Sequence, residues 1–401
     1  MKNKNSYIEN LKKDDVSFYS YPVKYGLKDY ERVLDNIRSK AKNTKEILSV
    51  YTFGHVSVPG ISDIDLIFVL KSGSRLPHFL MKNYIDRDSN YLVFHPFFII
   101  TEDIMKNMMY IYPNSNFVKI YGKEIEIIGP SKSELKKIKA YLTTDVILRH
   151  FPVDYLYVLL SKSLNVRMIL VRLNALGHSF RVFNDIAGFN KREWMIFSKR
   201  VENLRKNWFR LNEKSRDAEL FDLLKEAVYI SMDFVEEFSS FLSKGKNSII
   251  SAKKQNIIFK GNKNRISFVK DWNKERALNQ MISHFVKYKN FYSILPISLL
   301  KQLCCYSSAD GRLSTYIRRR LSVQCMQSNI DPIIKKRIQI LNKQVEYANK
   351  LKHSHYPCFF PLGYKTEKGL KNKLILAFIL ITSSSVFRRI LFSFRSLFRH
   401  H

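Results

Sequence analysis

Apolar residues at Tyr30, Val33, Leu34 and Ile37 recur at helical spacing, which predicts one amphipathic helix over residues 28–46. A strand over 47–53 runs into Gly54, a loop leads to Ser62, and a second apolar strand follows over 64–70. A polar break at 71–75 precedes an amphipathic segment. The β-branched and aromatic run from Tyr91 to Ile100 then predicts a third strand. Two more short apolar runs, 117–120 and 125–128, flank Tyr121, Gly122 and Lys123. Helix and strand alternate through this stretch, so residues 1–130 read as one α/β unit.

After Gly129 and Pro130 the texture changes to long periodic apolar stretches at 132–178 and 191–245, the mark of a mainly helical region over 131–369. Within it, the runs at 256–259 and 266–269 are spaced for a small hairpin. Asp331 and Pro332 make an N-cap and first-turn pair. They open a helix whose apolar stripe is Ile334, Ile338, Leu341, Val345 and Ala348. Such a stripe packs on its own domain or against a second copy. The expected fold class is therefore α+β: a mixed sheet with helices, then a helical, strongly basic region, then a separate segment at 370–401.

Charge sharpens this division. The 401 residues carry 68 Lys and Arg against 35 Asp and Glu, a net charge of +33. Residues 1–130 hold 18 basic and 15 acidic side chains, so nearly all of the excess lies beyond them. A surface of that kind attracts polyanions such as nucleic acid, anionic lipid or phosphorylated glycans. With 45% hydrophobic residues the chain has the means to bury a core, which excludes a disordered or fibrous class. The four cysteines form no CxxC pair, so structural zinc is not expected. The polar N-terminus lacks a secretory pattern, and a reducing, cytoplasmic compartment is expected.

The stretch that carries chemistry is Tyr51 to Leu70, YTFGHVSVPGISDIDLIFVL. Successive side chains of a strand alternate in direction, so Asp63 and Asp65 share a face with their Cβ atoms about 6–7 Å apart. Two carboxylates on one face suit a hard divalent cation, which completes its shell with water and substrate phosphate oxygens. Gly54 permits close backbone approach to such a phosphate.

At Gly54, Ser62, Asp63, Ile64, Asp65 and Leu66 the chain resembles the nucleotidyltransferase superfamily typified by DNA polymerase beta, over about residues 47–130. The resemblance implies a polymerase-beta-like domain and transfer of a nucleoside monophosphate from a nucleoside triphosphate to an acceptor hydroxyl or phosphate. Asp63 and Asp65 would be the catalytic pair holding Mg²⁺ or Mn²⁺, with Gly54, His55, Ser57 and Ser62 beside the nucleotide. His55 stands where the family usually has a phosphate-contacting serine, for which Ser57 is the substitute. The family also has a third carboxylate on a later strand. The run from Tyr91 to Ile100 has no acid, which leaves His95 or Glu124 as candidate third ligands, with the pair Asp86 and Asp88 before the run, or Glu126 beside Glu124 after it, as other sources of that ligand. A different class of reading is a catalytically inactive member of the fold that binds nucleotides or polyanions.

Two basic features remain. Residues 374–387 are an uncharged run, about 21 Å long as a helix and short of a roughly 30 Å hydrocarbon core. Beyond it Phe387, Ile390, Leu391, Phe394, Leu397 and Phe398 form one face while Arg388, Arg395 and Arg399 lie off it. That pattern over 374–399 suits either a helix at an anionic membrane interface, with peripheral contact at the inner membrane face, or a C-terminal helix docked on this protein or a partner. The clusters 318–320 and 335–337, with Phe291, Tyr306 and Tyr316 near them in sequence, are candidate phosphate and stacking contacts for a nucleic-acid acceptor. Arg172 and His178 faintly resemble the ribonuclease pair of small helical domains that partner minimal nucleotidyltransferases.

Overall fold

The structure is a computed structural model that describes residues 6–77, 80, 87–93, 97–188, 191–243, 254–258, 265–290, 292–319 and 330–351. His95, Asp86, Phe291, Arg320 and the whole segment 352–401 lie outside the described residues, as does the side chain of Asp88. The fold is α+β.

The N-terminal part holds helix α1 (Ser6–Asn10), strand β1 (Ser17–Tyr19) and helix α2 (Leu27–Lys42), which buries Tyr30, Val33, Ile37 and Ala41 along one stripe. Asp29 accepts the Gly26 N–H at the start of α2, and Thr44 Oγ1 donates to Lys40 O at its end. The helix therefore stops short of residue 46. A mixed sheet follows, made of β2 (Ile47–Phe53), β3 (Asp65–Leu70), β4 (Phe98–Thr101) and β5 (Phe117–Gly122) in the order β4-β3-β2-β5. β2 is antiparallel to β3 and β5, while β4 runs parallel to β3.

Two expected strands are corrected. Tyr91 to Ile100 divides into helix α3 (Arg87–Leu92) and the short β4. Pro96 between them has no N–H to give a ladder, and Tyr91 is occupied elsewhere, stacked on Tyr25 with its hydroxyl donating to Gly60 O. Residues 125–128 form no strand either: Gly122 turns the chain at φ +83°, and Ile125 gives its N–H to Tyr51 Oη.

Past α4 (Glu102–Lys106) the chain is mainly helical: α5 (Lys132–His150), α6 (Val153–Ser161), α7 (Val166–Ala187), α8 (Arg192–Asn207) and α9 (Glu213–Ser243). Ser131 and Glu134 cap α5 reciprocally, as a serine three residues before a glutamate should. β6 (Ser163–Asn165) pairs in parallel with β1, a contact the sequence pattern did not announce. The hairpin expected at 256–269 is present as β7 (Lys254–Ile258) and β8 (Arg265–Val269), and after α10 (Lys274–Tyr288) a further strand, β9 (Tyr292–Pro296), extends it in parallel. Helices α11 (Leu300–Ser308), α12 (Arg312–Arg318) and α13 (Pro332–Lys350) complete the described chain.

The stripe on α13 is buried within this chain, with Ile334, Ile338, Leu341, Val345 and Ala348 all covered, and the helix packs on β4, α4 and α5. The sheet explains how the parts join. Val50, Leu66, Phe68 and Ile99 face α2, whereas Tyr51, Ile67, Val69 and Ile100 belong to a continuous apolar core shared with the helices. Residue 130 thus marks a change of texture along the chain but not a gap between cores. Among the described residues no helix is long and apolar enough to cross a membrane.

Candidate functional site

The carboxylate pair stands where the sheet meets the helices. Phe53, the last residue of β2, lies directly across the ladder from Asp65, the first of β3. Gly54 then turns the chain away at φ +78°, with open space where a Cβ would be. Alternation puts Asp65 on the face of Ile67 and Val69, the face that looks toward the helical region, and Asp63 lies two residues before the strand. Both carboxyl groups are half-buried. Burial first, and the charge of Asp63 second, push the Asp65 carboxyl up to about 8, so it holds its proton at neutral pH.

Along the same end of the sheet lie aromatic rings rather than further acids. Phe53 meets Phe98 edge to face at 5.1 Å, with Tyr112 at 5.5 Å and Phe117 at 6.3 Å. Phe98 pairs with Ile67 in the parallel ladder, so it occupies the strand next to the pair and the same face.

The loop that delivers Asp63 is fixed by side chains from distant elements. Tyr30 on α2 accepts the Gly60 N–H (2.9 Å) and donates to Ser62 O (2.6 Å). Arg167 on α7 reaches Ile61 O at 3.2 Å, Ser62 O at 3.3 Å and Tyr91 O at 2.5 Å, and its guanidinium sits 3.8 Å over the Tyr91 ring. Gly60 has φ +83°, and a Cβ there would fall 2.2 Å from Val23 O, so no other residue fits this bend. Ser62 Oγ accepts the Val58 N–H and lies 3.1 Å from Ser57 Oγ. Neither Arg167 nor Tyr30 carries a motif that sequence reading could have picked out.

Between this loop and the two helices α7 and α8 opens a cleft of about 570 Å³. His55 and Ser57 form one wall, Leu173, Phe180 and Val201 an apolar floor, and Arg181, Lys199, Arg205 and Lys206 supply cations. Arg205 is the unusual member. It is only 4% exposed, and Nη2 makes long contacts to Ser57 Oγ (3.3 Å) and Ser62 Oγ (3.4 Å), while Nε has no hydrogen-bond partner among the described residues. Burial pushes its guanidinium down to about 10, against the pull of Glu202 and Asp63, so it stays charged at neutral pH.

Of the residues expected at the site, His55 and Ser57 line the cleft, Ser57 touches the buried Ser62, and Gly54 follows Phe53, which lies across from Asp65, while Asp63 and Asp65 do not line the cleft. Glu124 is a correction. It is exposed, pairs with Lys119 at 2.6 Å, and follows Lys123, whose N–H bonds Leu48 O near the start of β2, whereas the pair flanks the end of that strand. Glu126 is exposed beside it. Among the described residues no group of three or more His, Cys, Asp or Glu side chains is placed to hold a metal. Asp63 and Asp65 are the residues that could hold a hard divalent cation, whose remaining ligands water and a substrate's phosphates would supply.

The other basic candidates fare differently. Arg337 and Tyr306 are fully buried and Tyr316 nearly so, which removes them as nucleic-acid contacts. Arg172 pairs with Asp154 at 3.0 Å, and His178, six residues further along α7, falls about 120° away around the helix at 3.6 residues per turn. The chain matches no protein-family model, no curated protein and no solved structure.

Proposed function

We propose that this chain is a divalent-cation-dependent nucleotidyltransferase that moves a nucleoside monophosphate from a nucleoside triphosphate to an anionic or hydroxylated acceptor. The observation that carries this reading is Asp65 at the mouth of β3, across the ladder from Phe53 and the Gly54 bend that follows it, with Asp63 two residues before it and a cation-lined cleft behind the loop that joins them. A bound Mg²⁺ or Mn²⁺ would supply charge neutralisation at the triphosphate. The chain's own work is positioning, since transfer at phosphorus leaves little covalent chemistry to the protein. Asp63 and Asp65 hold the cation, Gly54 lets backbone amides approach the phosphates, and Tyr30, Tyr91 and Arg167 keep the intervening loop rigid.

Incubating the purified protein with Mg²⁺ and labelled nucleoside triphosphates tests this. Label transfer to phosphorylated or hydroxylated acceptors that disappears in Asp63→Asn and Asp65→Asn supports the enzyme. The aromatic Phe98, level with Ile67 on the strand next to β3, favours one other reading, a fold member that binds triphosphate without turnover. Mg²⁺-dependent binding with no transfer to any acceptor supplied would select that reading, and no Mg²⁺-dependent binding at all would remove both.

A further inference from the structure

The cleft behind the loop has two properties that the cation pair does not explain. It does not include Asp63 or Asp65, and its cations surround a buried arginine whose donors are mostly unspent. Arginine offers five N–H groups in a planar fork that matches phosphate oxygens two at a time. Arg205 uses one nitrogen on two neutral hydroxyls, each beyond the usual 2.9–3.0 Å. A charge kept at 4% exposure without a carboxylate on it is costly unless an anion arrives. Of the other cations, Lys206 is held by Glu202, whereas Arg181 and Lys199 stand exposed at the rim with no ion pair among the described residues. The floor of Leu173, Phe180 and Val201 is apolar, and about 570 Å³ suits a small molecule rather than a polymer.

Resting on the nucleotidyl-transfer reading, we infer that this cleft is the acceptor site and that the acceptor is a small phosphomonoester gripped at its phosphate by Arg205. A hydroxyl acceptor needs a base to take its proton. A phosphomonoester has a second pKa near 6 and is already ionised at pH 7, so it reacts without one. On the neighbouring strand the same face carries an aromatic ring, Phe98, level with Ile67 two residues on from Asp65. In the transfer, an oxygen of the acceptor phosphate forms a bond to the α-phosphorus of the nucleoside triphosphate. The α–β bridging P–O bond breaks, its electron pair leaves on pyrophosphate, and the product is a nucleoside diphosphate ester of the acceptor. Ser57 and Ser62, which touch both Arg205 and the loop before Asp63, place the acceptor phosphate beside the cation pair.

Calorimetric titration of the full chain with inorganic phosphate and with glucose 1-phosphate, in the absence of nucleotide, tests the site; a separate titration uses Mg²⁺ and a non-hydrolysable ATP analogue. The expected result is phosphate and sugar-phosphate binding that falls at least tenfold in Arg205→Gln and three- to tenfold in the rim variant Lys199→Gln. Binding of the Mg²⁺–ATP analogue should change less than twofold in both variants and be lost in Asp63→Asn. Lys199 is exposed, so its variant keeps the test valid if Arg205→Gln does not fold. No binding of either phosphate probe to the parent chain overturns the proposal. An equal loss of analogue binding in Lys199→Gln overturns it too, because the cleft would then hold the donor's triphosphate. Phosphate binding in a parent chain that does not bind the Mg²⁺–ATP analogue refutes nucleotidyl transfer and, with it, the acceptor role.

Discussion

Two buried arginines in this chain have opposite surroundings. Arg337, at 0% exposure, donates to Tyr110 O (2.6 Å) and Ile111 O (2.9 Å) and pairs with Asp145 at 2.9 Å, while Gln302 and Tyr306 donate to the same carboxylate. Burial alone would lower its pKa, but Tyr306 and Asp145 lift it above the ordinary arginine value. Arg205 donates only to hydroxyls, and burial outweighs the pull of Glu202 and Asp63. The first arginine is answered inside the protein and ties α13 and α5 to the turn after α4. The second is left for something from outside. Burial by itself does not separate scaffold from site; whether a counter-charge is already present does.

The largest expected effect sharpens that contrast. Arg337→Met strands the buried Asp145 carboxylate and should cost about 3–5 kcal/mol in urea unfolding, because breaking one half of a buried pair leaves an uncompensated charge. Arg205→Met should change stability by less than about 1 kcal/mol, since it removes a buried charge that has no ionic partner. Equal losses in the two variants would erase the distinction between them.

Tyr30→Phe tests the rigidity of the loop. Losing the hydroxyl leaves the Gly60 N–H and Ser62 O without that partner, for about 1–3 kcal/mol, read from the same unfolding curves. A nucleotidyl-transfer assay should show a larger loss of turnover than of binding.

The pH dependence follows from Asp65. Its folded pKa of about 8 lies above the unfolded 3.8, so the folded state binds the extra proton between those values. The contribution of this group to stability is greatest below about 4 and is lost as pH rises through about 8. Asp145, raised by burial to about 6, adds a slope of the same sign that ends near 6. The fall between pH 6 and 8 is therefore the part that Asp65→Asn should abolish. Over the same window Mg²⁺ must displace that proton, so its affinity should rise about tenfold per pH unit, with proton release seen by titration in buffers of different ionisation enthalpy.

The smallest effect is at the other end of the sheet. Glu124→Gln removes an exposed pair with Lys119 and should shift stability by less than about 0.5 kcal/mol, leaving transfer untouched. A loss of Mg²⁺ binding in that variant would return Glu124 to the site.

Much of the architecture was legible in the chain because it is local. The spacing of Tyr30, Val33 and Ile37, the strands around Gly54, the cap at Asp331 and the hairpin near 256–269 each follow from short-range periodicity and turn chemistry. Tyr91 to Ile100 misled because aromatic, β-branched composition cannot tell a strand from a helix that lends one tyrosine to a distant loop.

What the sequence determined by itself was that two carboxylates two residues apart stand where an apolar strand opens near a glycine bend, since local pattern requires no partner. Only the tertiary structure decided which residues surround that face. Arg167 lies 105 positions from Ser62 and Arg205 lies 143, and their contacts arise from how α7 and α8 pack across the sheet's end. The same packing buried Arg337 and Tyr306, which the chain had offered as surface cations and stacking rings. Side-chain type is written in the sequence, but solvent exposure and counter-charge depend on elements brought together across long chain separations.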